Sequence, residues 1–230
     1  MSRAALVLVG AVAFALSPLL FGGFGGFPPD RYPVPQVDPP VQPVGWAFSI
    51  WGIIYFWLIV HAAVGAITRA GAEDWQPTRW PLLVALGVGA IWIPVAQRSP
   101  VLATLLILVM LGGAVTALLK APMRDELLAE APLGLFAGWL TAATAVSLGL
   151  LAAGYGVLGA TWAAVAALVL AAVAAAFVLS ARPSVACALA VAWAFLGIVV
   201  QNAGTNTLVM ILAAAGMLAV PAFALWRRRG

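Results

Sequence analysis

Eight apolar runs, each about as long as a bilayer is thick, decide what this chain can fold into. They lie at roughly 4–24, 44–68, 79–97, 100–119, 132–153, 157–181, 184–202 and 205–226. An α-helix rises 1.5 Å per residue, so about 20 apolar residues cross the ~30 Å hydrocarbon core. No water is present there to satisfy the amides, so a continuous apolar run must close its hydrogen bonds within itself as a helix. Membrane-spanning strands would instead alternate apolar and polar residues over about ten positions. The fold class expected is therefore an all-α polytopic membrane protein, a bundle of eight transmembrane helices. Composition agrees: 65% of the 230 residues are hydrophobic and 8% charged, against about 45–50% and about 25% in soluble domains.

The runs are separated by "RAGAEDWQPTR", "RSP", "KAPMRDELLAEAP", "AGYG", "ARPS" and "NAGT", where charge, Pro or Gly ends a helix. Pro94 falls inside the third run and makes its end the least defined. The first run carries Arg3 and an Ala13-Phe14-Ala15 stretch like a signal-peptide cleavage site. It continues apolar through Leu20 and Phe21, so an uncleaved helix is expected.

Positive charge tests the count. With eight spans, Arg3, Arg69, Arg79, Lys120, Arg124, Arg182, Arg227, Arg228 and Arg229 fall on one side, and Arg31 and Arg98 on the other. Basic residues collect on cytoplasmic loops. Both termini are expected in the cytoplasm, and the membrane is expected to be a bacterial inner membrane. The sequence pI near 10 is then a property of these loops, and no nucleic-acid partner is expected. The lone cysteine, Cys187, cannot form an intrachain disulfide.

One external segment cannot continue as a helix: residues 28–43, "PPDRYPVPQVDPPVQP", contain seven prolines. It favours extended geometry and reads either as a rigid spacer or as a lid over the helix ends.

The seven carboxylates all fall in expected loops. A pump or ion exchanger usually keeps an ionisable group within the span, so these classes are disfavoured. No phosphate-binding glycine loop and no metal spacing is present. The single histidine, His61, lies in the second run without a second ligand nearby. It reads as a neutral histidine, either bonded to a neighbouring helix or near the interface. Neither a catalytic residue nor a metal ligand is assigned, and no enzyme activity is expected.

What remains is aromatic. In "PVGWAFSIWGIIYFW" (43–57), at 100° per residue, Phe48, Trp51 and Tyr55 share one stripe, which can face inward, while Trp46, Trp57 and His61 share the other face, which can meet lipid or the membrane interface, as expected of Trp46 near the external end. A stripe of flat rings is either helix packing or the wall of a pocket for a flat apolar ligand.

These residues carry a resemblance. Pro43, Trp46, Phe48, Trp51 and Tyr55 are similar to the second-helix pattern Pro-x-x-Trp-x-Phe-x-x-Trp-x-x-x-Tyr of the TspO/translocator (tryptophan-rich sensory) family, with one residue fewer before the Trp. "GAIWIPVAQ" supplies the third-helix Trp92 and Pro94, and "GWLTAATAVSL" the fifth-helix Trp139, Ala143 and Thr144. Two departures stand out: Gly89 lies near the place of the family's third-helix Asn, and Ser147 in that of its fifth-helix Asn. The resemblance implies a five-helix core over residues 1–153, with its proline-rich external loop at 25–43, followed by three further helices over 154–230. It also implies a membrane-embedded binding protein, sensor or carrier for a tetrapyrrole or sterol-like molecule. The implied ligand residues are Trp51, Tyr55, Trp92, Trp139 and Ala143, with Phe48 one layer behind. No cofactor is obligatory, and a tetrapyrrole is the ligand implied. The expected partners are the lipid bilayer and an apolar small molecule, with a homodimer or a membrane complex as docking options for the extra helices. Two other classes stay open: an accessory subunit of a larger membrane complex, and a small-solute transporter.

Overall fold

The computed structural model describes residues 2–122 and 124–229 and contains, among them, eight long helices and no strand. They are α1 (Arg3–Phe21), α2 (Ile50–Ile67), α3 (Gln76–Ala96), α4 (Pro100–Leu119), α5 (Ala131–Gly154), α6 (Ala160–Ala181), α7 (Val185–Asn202) and α8 (Thr207–Arg229). All eight are long and apolar enough to cross a membrane. A 3₁₀ turn, Gly45–Ser49, leads into α2, and a π-helical turn, Glu126–Glu130, leads into α5.

Short polar side chains start several helices. The Ser2, Ser99 and Ser184 hydroxyls accept from the amides of Ala5, Leu102 and Cys187, and the Asn206 side chain accepts from Val209. Each satisfies one of the amides a helix start leaves free. Both Pro81 and Pro94 are accommodated inside α3, which runs on past them to Ala96. Neighbouring helices and local backbone adjustments make such prolines tolerable in membrane helices.

The helices pack as two rings with one shared member. α1 lies against α2 and α3, α3 against α4, α4 against α5, and α5 returns to α2. On its other side α5 packs against α6 and α7, and α8 closes that second ring by touching both. Accordingly 67% of the α5 span is buried, against 28% for α1 and 22% for α8.

Glycine makes this sharing possible. A Cβ on Gly138 would run into the backbone carbonyl of Cys187, and one on Gly134 into the Ser184 hydroxyl, both of which precede or open α7. The pair is spaced four residues apart, the small-xxx-small pattern that lets membrane helices meet backbone to backbone. Toward α6, a Cβ on Gly149 would stand 2.9 Å from that of Ala167.

Basic side chains gather at one end of the bundle. Arg3 stacks over Trp80, Arg69 pairs with Asp125 at 3.0 Å, Arg182 donates to the Ala121 carbonyl and Arg228 pairs with Glu126. Arg79 ties off the α2–α3 link by donating to the carbonyls of Arg69 and Ala70. The proline segment covers the opposite end. One expectation needs correction here. Glu126 and Glu130 are not in an open loop but in the π turn, and Glu130 is buried at 7% exposure.

Candidate functional site

The aromatic stripe of the second run faces the interior of the first ring. The 3₁₀ turn and the first two turns of α2 place Phe48, Trp51 and Tyr55 at intervals of three and four residues, hence on one side. Trp51 and Tyr55 stack with ring centroids 5.4 Å apart and 16° between planes. Phe14 from α1 stands edge-on to both, at 5.7 and 4.9 Å. Trp139 from α5 meets Trp51 and Phe48 edge-on, each at 6.0 Å. These separations lie within the 4.5–7 Å range of favourable aromatic pairs.

The rings enclose a cavity of two lobes. One, about 160 Å³, lies among α1, α2, α3 and α4 and touches Phe14, Tyr55 and Gly89. The other, about 40 Å³, reaches α5 and α7 at Trp139, Ala143, Ser147 and Ala194. Phe24, Phe48, Trp51, Trp92 and Ile107 border both. All six residues singled out from the sequence (Phe48, Trp51, Tyr55, Trp92, Trp139 and Ala143) therefore meet around one space. Phe48 lies on the cavity wall itself, not one layer behind it.

Polar groups on the walls are few. Trp92 donates its N–H to the Ala103 carbonyl at 2.9 Å, so that donor is spent. The Trp139 N–H has no partner among the described residues, although the side chain is 2% exposed. Ser147 and Gln42 add a hydroxyl and an amide to the smaller lobe. Gly89, in the place of an expected Asn, leaves room for the Phe14 ring, which a Cβ there would meet at 2.6 Å. An aromatic edge thus replaces an amide at that position.

The roof comes from the segment after α1. "FGGFGGF" (21–27) alternates single phenylalanines with glycine pairs. Gly22 and Gly26 have φ of 84° and 121°, which a side-chain-bearing residue rarely adopts. This path drops Phe24 and Phe27 onto Trp92, at 4.7 and 6.5 Å. Farther along, the proline segment and the turn that follows it are held by α7 through three bonds. The Asn202 amide donates to the Pro40 carbonyl at 2.8 Å, Val44 N–H to the Gly197 carbonyl at 3.2 Å, and the Trp193 N–H to the Ala47 carbonyl at 2.8 Å. The segment is packed against the helix ends, and only its last residues, Gln42 and Pro43, border the cavity.

His61 lies on the opposite face of α2, stacked on Trp75 at 4.9 Å with 15° between planes. Its Nδ1 is 2.8 Å from the Leu128 carbonyl, so Nδ1 carries the proton. Trp57 donates in the same way to Leu127. Together they satisfy carbonyls of the π turn, and this face meets protein where lipid was one expectation. Trp46 also packs, edge-on to Trp193 at 5.1 Å, while remaining 45% exposed. His61→Ala is expected to lower stability by about 1–2 kcal/mol, the cost of an orphaned carbonyl tempered by the low value of single bonds in membranes. It should leave the haemin absorption spectrum unchanged. Loss of axial-ligand bands in the variant would instead make His61 an iron ligand.

Reasoning from the sequence missed Phe14, Phe24, Phe27 and Ala194. The Phe-Gly-Gly repeat was the available signal for two of them. Ala194 had none, since a small apolar residue in an apolar helix is indistinguishable from its neighbours.

A profile of the TSPO-like protein family matches residues 34–226. The match begins within the proline segment and continues through α6 and α7 into α8, so it is not confined to the first five helices. No curated protein and no solved structure matches the chain.

Proposed function

Since this chain belongs to the TSPO-like protein family, we propose that it is a membrane-embedded binding protein for a flat, largely apolar ligand that carries a hydrogen-bond acceptor, a tetrapyrrole being the leading candidate. Family membership supports a ligand-binding or sensing role in the membrane. The observation that carries the finer reading is the buried, unpaired N–H of Trp139, a residue that lines the smaller lobe of a largely apolar cavity. A buried donor without a partner costs about 1–3 kcal/mol, and a ligand carbonyl or carboxylate would relieve that cost.

The cavity is small. Its lobes of about 160 and 40 Å³ fall below the roughly 300–1,000 Å³ of a ligand pocket. A polycyclic ligand therefore takes the places of Phe24 and Phe27 and does not simply add to them. The glycine pairs on either side of Phe24 supply the joints for that movement. The basic end is read as cytoplasmic, so the ligand enters from the external side or from the outer leaflet.

The test is Trp139→Phe, which keeps a ring but removes the donor. Protoporphyrin, whose carboxylates are acceptors, is expected to bind about two- to tenfold more weakly, the worth of one hydrogen bond of about 0.5–1.5 kcal/mol. A planar hydrocarbon without acceptors should bind wild type and variant alike. Equal protoporphyrin affinity in both would remove the acceptor from the reading. Mass spectrometry of small molecules retained through mild purification would name the natural ligand.

A further inference from the structure

A second pocket lies at the basic end of the other ring, far from the aromatic cavity. It is bounded by the π turn before α5, the α6–α7 link and the last turn of α8. Its lining is almost entirely charged: Glu126, Glu130, Arg182, Arg227 and Arg228, with Pro183. Its volume is about 280 Å³.

The charges are only partly spent within the protein. Arg228 pairs with Glu126. Arg182 and Arg227 each place one amino group on a backbone carbonyl, of Ala121 at 3.0 Å and of Ser180 at 2.7 Å. A guanidinium has five N–H donors, so both keep donors for a ligand, in the fork geometry that suits phosphate. Glu130 is different. It is 7% exposed, the Ser184 hydroxyl is its polar neighbour, and no Lys or Arg pairs with it among the described residues. A buried carboxylate oxygen of this kind calls for a donor or a cation. A simple phosphate would leave that demand unmet and would repel Glu130. A simple cation would meet three arginines.

We infer that this pocket binds a phosphoethanolamine group, with its phosphate on Arg182 and Arg227 and its primary ammonium on Glu130. The two charges of that group stand a few atoms apart, as do the two signs of charge on the pocket wall. The position is apt for a phospholipid headgroup, because the pocket sits where α6 and α8 end and α7 begins, and the apolar spans give way to arginine. A water-soluble phosphoethanolamine ester would meet the same chemistry.

The experiment uses the full chain, purified in mild detergent and offered equal amounts of phosphatidylethanolamine, phosphatidylcholine and phosphatidylglycerol, with retained lipid read by native mass spectrometry. Phosphatidylethanolamine should exceed phosphatidylcholine, which has no ammonium N–H, by about fivefold in the wild type. Glu130→Gln, nearly isosteric, should reduce that preference to about twofold or less, and Arg227→Gln should weaken retention of all three. An unchanged elution volume and melting temperature verify that each variant is folded. Free O-phosphoethanolamine that raises the melting temperature without any lipid adduct would assign the site to a soluble ligand of the same chemistry. Equal retention of the ethanolamine and choline lipids by the wild type would overturn the inference. So would preferential phosphatidylglycerol retention, or an ethanolamine preference that survives Glu130→Gln.

Discussion

Gly138→Leu is expected to abolish the folded protein. A Cβ at this position would already meet the carbonyl of Cys187, and the obstacle is backbone, not a side chain that could rotate away. Overpacking a tight interior costs about 1–3 kcal/mol and sometimes more. Here α5 and α7 would have to separate along their length, so a loss above about 3 kcal/mol is expected. Thermal unfolding in detergent, followed by fluorescence and by the size-exclusion profile, measures it. Gly112→Leu on α4 is the matched control, since nothing lies within 4 Å of a Cβ there and the exposed position faces outward. If both variants melt alike, the α5–α7 contact is looser than the geometry requires.

Trp51→Ala is expected to weaken protoporphyrin binding at least about tenfold, roughly 1.4 kcal/mol. Trp51 borders both lobes of the cavity and touches Phe14, Tyr55, Phe136 and Trp139. Removing it takes away the ring most central to the wall, with an offset-stacking contribution of about 0.5–1.5 kcal/mol beyond area. Trp139→Ala should act similarly. Trp226→Ala, 64% exposed near the end of α8, should leave affinity unchanged. Quenching of tryptophan fluorescence, corrected for the lost fluorophore, reports the affinities. Variants that fold and bind as tightly as the wild type would reduce the aromatic cluster to helix packing and withdraw the ligand-binding reading.

Much of the architecture was legible because hydrophobicity on the scale of a bilayer is a coarse signal. The runs at 100–119 and 184–202 reappear as Pro100–Leu119 and Val185–Asn202. Errors concentrate at ends where a different helical geometry intervenes. The fifth run begins with a π turn at Glu126–Glu130 that its charged residues disguised as a loop. The stripe Phe48, Trp51, Tyr55 was legible from spacing, and its reading as a pocket wall rather than helix packing followed from resemblance. The two-ring arrangement was not legible at all. α5 differs from its neighbours in the placement of Gly134, Gly138 and Gly149, and glycine is common throughout this chain, with 23 in all. Only the positions of their partners on α6 and α7 give those three their meaning. The orphaned Trp139 donor was equally hidden, because a sequence records that a donor exists but not whether it is satisfied.

A helix shared between two rings has a history as well as a place. Membrane proteins are synthesised from the N-terminus, so α5 reaches the bilayer when α1 to α4 can already receive one of its faces. Its other face, with Gly134 and Gly138 open toward α7 and Gly149 toward α6, then confronts lipid, which fills such a groove poorly. The nascent chain is thus committed to a half-finished surface until some fifty further residues have emerged, the stretch from Tyr155 to the end of α7 at Asn202. A chain ending just after Gly154 and released into the bilayer would form a first ring carrying an unclosed seam.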